Sequence, residues 1–61
     1  MQLTQKELLA IADQLNAEKL LVARCKAYAQ MAEDPQIQSM CELLAGKHQA
    51  HYQNLLGFLQ E

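Results

Sequence analysis

Two histidines three residues apart, His48 and His51 in the stretch GKHQAHY, are the side chains of this 61-residue sequence best suited to chemistry. Three residues is close to one helical turn, so in a helix both rings project from one face. Imidazole is a ligand for divalent transition metals and an acid–base group near neutral pH. Either role needs a buried partner of opposite character. The candidate is Glu18, a carboxylate standing among apolar residues in the first half of the sequence.

The elements that must bring these three together are two helices. In LTQKEL, Thr4 is placed to cap a helix, Glu7 to close a capping box with it, and Leu3 to staple onto Leu8. No Gly or Pro then interrupts the chain before EDPQ, where Asp34 suits a second N-cap and Pro35 a first helical turn. Proline disfavours helical backbone at the residue before it, so helix 1 should end at about Ala32 or Glu33. The reading is a single all-α hairpin: helix 1 over about 4–33, a turn at about 34, and helix 2 over about 35–60.

Spacing identifies the inward faces. In helix 1, Leu8, Ile11, Leu15, Glu18, Val22, Cys25, Ala29 and Ala32 alternate at intervals of three and four. In helix 2 the same alternation selects Ile37, Cys41, Leu44, His48, His51, Leu55 and Phe58. Depth along the hairpin then decides which residues meet. Glu18 lies about 16 residues before Asp34, and His48 and His51 about 14 and 17 after it. At 1.5 Å per residue all three fall in one layer. The layer is also near the midpoint of both helices.

A second apolar set flanks each seam: Leu9, Ala12, Leu20, Leu21 and Tyr28 on helix 1, and Met40, Leu43, Tyr52, Leu56 and Leu59 on helix 2. Two helices alone cannot cover so wide a stripe, whereas a homodimer of hairpins forming an antiparallel four-helix bundle can. With the two turns at opposite ends, a two-fold axis through the midpoint brings together two copies of Glu18, His48 and His51. Ionisable groups buried there must satisfy one another or bind an ion. The expected occupant is one divalent transition metal per dimer, Zn, Fe, Mn or Ni, with Glu18, His48 and His51 as ligands. The alternative is a metal-free network in which Glu18 accepts hydrogen bonds from imidazole.

Composition narrows the partners. The net charge of −2, with both signs interspersed, offers no basic footprint for nucleic acid or an anionic membrane. No apolar run reaches the roughly 20 residues of a membrane span, and the polar start lacks the basic region of a signal peptide, so an intracellular, cytoplasmic protein is expected. Lys19, Arg24, Lys26, Glu42 and Lys47 fall off the seams and should be solvated. Cys25 and Cys41 are too few and too far apart in sequence for a disulfide scaffold or a zinc knuckle. They read as reduced, buried thiols, with a redox or oxidised pair as the alternative.

Taken together, the pattern resembles one half of a ferritin-like protein of rubrerythrin type. There each hairpin supplies one Glu from its first helix and a Glu-x-x-His from its second. NAEKLL places Glu18 at the first position, YAQMAEDPQI is similar to the end of the first helix and the turn, and HQAHYQNLLGFL falls at the second-helix motif. His51 matches the family histidine, while His48 stands where the family has a bridging Glu. A dimer then offers two carboxylates in place of four, which suits a single ion better than a di-iron pair. The runs AEKLL, DPQI and KHQAHYQNLL are also similar to small ferritin-like spore coat proteins of spore-forming Gram-positive bacteria. That resemblance implies a structural coat role, with other spore coat proteins as partners and the spore coat as location. The other readings are a metal-dependent oxidoreductase and a metal-free helical interaction module.

Overall fold

A computed structural model describes residues 2–60 and consists of two helices, α1 (Gln5–Met31) and α2 (Pro35–Gly57), with no strand among the described residues. They pack side by side as an antiparallel hairpin 46 Å long and 16 × 11 Å in section. Among the described residues neither helix is long and apolar enough to cross a membrane.

The starts of both helices follow the sequence closely. The Glu7 amide donates to Thr4 Oγ1 at 3.1 Å and the Thr4 amide to Glu7 Oε1 at 2.9 Å, which completes the capping box. Those hydrogen bonds, the one from the Thr4 backbone foremost, hold the Glu7 carboxyl below its ordinary range. Asp34 accepts from the Gln36 amide at 2.7 Å and caps α2, with Pro35 in its first turn.

The ends fall near the expected positions, with Ala32 as the C-cap of α1 and Phe58 as that of α2. α1 stops at Met31, because Ala32 is already extended (φ −71°, ψ 135°) and its carbonyl accepts from Gln38 Nε2 at 2.8 Å instead of continuing the helix. α2 stops at Gly57, where the amides of Phe58 and Leu59 donate to the Leu55 and Leu56 carbonyls in tighter, three-residue turns. Leu3 sits over a depression shared with Ile11, Leu55 and Phe58 from both helices, and Leu8 is 42% exposed.

The α1 seam is the expected one, with Glu18, Val22, Cys25 and Ala29 buried and Ile11, Leu15 and Ala32 half-buried. The α2 seam is rotated by about one residue. Ala45 is its buried member, and Gln38, Cys41, His48, Tyr52 and Leu55 are half-buried, whereas Ile37, Leu44, His51 and Phe58 are exposed. Small side chains explain the rotation. Ala29 and Ala45 let the helix axes approach, and a seam through them leaves the larger Ile37, Leu44 and Phe58 along one flank of α2.

Candidate metal centre

Glu18 is the buried charged residue of the hairpin, at 6% exposure. It points out of α1 toward α2 halfway along both helices, and α2 answers with its two histidines. His48 Nδ1 lies 2.8 Å from Glu18 Oε2, a short charge-assisted hydrogen bond. His51 Nδ1 lies 3.5 Å from the same oxygen. Gln14, one turn before Glu18 on α1, donates from Nε2 to the other carboxylate oxygen at 3.4 Å. No buried side-chain polar atom among the described residues lacks a partner.

The two rings stand edge to face, with centroids 5.8 Å apart and planes at 80°. Their burial differs. The side chain of Glu18 is 8% exposed, that of His48 22% and that of His51 57%. The site is thus closed by α1 on one side and open beside His51 on the other. One ligand atom from each of the three residues falls within 4.8 Å of the others, near enough that the group could draw together around an ion.

The electrostatics match. The His48 hydrogen bond holds the Glu18 carboxyl below its ordinary range, outweighing the desolvation that would raise it, with the charges of His48 and His51 and the Gln14 amide adding to the effect. Glu18 therefore stays ionised inside the seam. An anionic oxygen and two imidazole nitrogens converging on one point form a donor set of borderline hardness, suited to zinc, iron, manganese or nickel.

The structure thus brings together all three residues predicted from depth counting. It corrects their setting: His48, not His51, is the inward-facing histidine of the single chain, and His51 lies on its flank. Gln14 was not foreseen. Its signal is its position one turn from Glu18 on the same face of α1, with a side chain long enough to reach the carboxylate. Comparison of the chain with family models, with curated proteins and with solved structures finds no match, so the candidate site rests on the chain's own geometry.

Proposed function

We propose that two copies of the hairpin pair with opposed turns into a ferritin-like four-helix bundle, and that one divalent transition metal is held at its centre by Glu18, His48 and His51 of both chains. One observation carries this reading: a carboxylate and two imidazoles converge at the midpoint of the hairpin, yet one of those imidazoles is more than half exposed. The flank on which His51 opens is also the flank that leaves Leu44, Ile37 and Phe58 43–52% exposed. A second copy laid there covers the apolar residues and closes the site in one step.

Charge supports a single ion. Two Glu18 carboxylates neutralise one divalent cation, with imidazoles completing its coordination. When bound, the ion serves as a cross-brace between four helices. The residues hold it as follows: Glu18 supplies the charge, His48 is oriented by its contact with Glu18, and His51 closes the open side. In the absence of metal the proton between His48 Nδ1 and Glu18 Oε2 occupies the same place, so protons and metal compete for the site. By its resemblance to small ferritin-like coat proteins, we read the protein as a structural, coat-type component with no reaction of its own.

Elemental analysis of the purified protein together with its solution mass tests this reading. The expected result is a species of twice the 6.9 kDa chain mass carrying one transition-metal ion. A monodisperse, metal-free monomer overturns it.

A further inference from the structure

The register that sets Glu18 against His48 continues toward the turn. Seven residues are two helical turns, about 10.5 Å, and return to the same side of a helix. Seven residues after Glu18 is Cys25, and seven before His48 is Cys41. In an antiparallel pair those two steps run in the same direction, so the pairing that joins Glu18 to His48 at 2.8 Å sets Cys25 opposite Cys41. Both thiols are free; Cys25 is buried and Cys41 half-buried. Val22, Ala29 and Ala45 are the other buried apolar residues of the hairpin, and the charged Lys26 and Glu42, next in sequence to the two cysteines, line the grooves beside Ala29 and Ala45.

We propose that Cys25 and Cys41 are a redox-active pair that closes an intrachain disulfide by exchange with a low-molecular-weight disulfide. A disulfide needs Cα atoms within roughly 7 Å, and alanines on both helices favour that approach. The layer also favours a neutral cross-link over a thiolate-bound ion, because a bis-thiolate complex of a soft monovalent metal would bury net charge among Val22, Ala29 and Ala45. Cys41, the more accessible thiol, reacts first: its thiolate attacks one sulfur of the small disulfide, forms a mixed disulfide and releases one thiolate. The Cys25 thiolate then attacks Cys41 Sγ, forms the Cys25–Cys41 bond and releases the second. The pair is oxidised by two electrons, the small disulfide is reduced to two thiols, and the two cysteine protons pass to the leaving thiolates. None of these steps involves the Glu18 site.

The test equilibrates the folded, full-length chain with graded ratios of oxidised to reduced glutathione, followed by acid quench and alkylation in denaturant. Expected in the wild type are joint loss of both thiols, a mass lower by two hydrogens, no interchain species and retained helical circular dichroism. In Cys25→Ala the exchange stops at a glutathione adduct on Cys41, formed several-fold faster than the adduct on Cys25 in Cys41→Ala. A wild type that stops at mixed disulfides, that links between chains, or that forms the intrachain bond only in denaturant overturns the proposal. The wild-type outcomes decide the matter even where a variant folds poorly.

Discussion

Replacing Leu44 by Ala probes the proposed interface at its centre. Leu44 lies one turn before His48 and two before His51, and 43% of its surface is exposed in the single hairpin. Fully burying a leucine side chain contributes roughly 1.5–3 kcal/mol. The exposed fraction therefore corresponds to about 1 kcal/mol per chain, gained only when a second copy covers it. Two-fold symmetry doubles this to about 2 kcal/mol, which raises the dimer Kd about 30-fold at 1.4 kcal/mol per decade. Leu20 is the control. It is 50% exposed, and although the apolar pattern counts it among the residues flanking the seam, it stands two residues from both buried Glu18 and buried Val22, which puts it on the outer side of α1. Sedimentation equilibrium over a wide concentration range reads both variants against the wild type. The expected result is a large shift toward monomer for Leu44→Ala and almost none for Leu20→Ala. Equal weakening by the two changes, or no change from either, refutes the placement of the interface on the Leu44 flank.

Three further outcomes follow from the same geometry. His51→Ala should abolish the response of the melting temperature to added metal while leaving the helical signal of the metal-free protein largely intact, since within its own hairpin the side chain is 57% exposed and packs little; a loss of helical signal without metal would contradict this. Glu18 has a depressed carboxyl pKa in the fold, so its contribution is fully present above the unfolded value near 4.5 and is lost as pH falls through the folded value. An acid titration of stability should accordingly be flatter for Glu18→Gln than for the wild type, and parallel curves would exclude the His48 contact as its cause. Gly46→Ala should stabilise the protein by about 0.5–1 kcal/mol in thermal or urea unfolding. Gly46 has helical backbone without positive φ, a methyl group there would meet nothing within 4 Å, and it borders a groove with Lys26, Glu42 and Gln49. Destabilisation by Gly46→Ala would mean that another chain packs closely on that groove.

Much of this arrangement is legible without coordinates. Thr4, Glu7, Asp34 and Pro35 carry local stereochemical rules that neighbouring packing does not override, so both helix starts fall where those residues place them. The meeting of Glu18 with His48 and His51 is legible because depth in a hairpin depends only on the turn position and the rise per residue. The facing of α2 is harder to read. Alternation of large apolar residues picks out Ile37, Leu44, His51 and Phe58, but the buried position of α2 is Ala45, whose single methyl carries little weight in such a pattern. A stripe that is apolar for one partner helix cannot be told, by periodicity alone, from one that is apolar for another. The exact residue at which each helix stops is also harder to read: the bond from Gln38 to the Ala32 carbonyl comes from the other helix and is not contained in local rules.

The metal centre is tested by the melting of metal-stripped protein in chelator and with zinc, iron(II), manganese(II) or nickel(II) in turn. A ligand at one hundred times its Kd stabilises the folded state by about 2.7 kcal/mol, which in a domain of this size moves the midpoint on the order of 10 °C. A rise of that order is expected with at least one of these ions, saturating at one ion per two chains and reversed by acid, because metal ligands must be deprotonated. Identical melting in chelator and in every metal would contradict it, and would leave Glu18, His48 and His51 as a hydrogen-bonded layer of the hairpin.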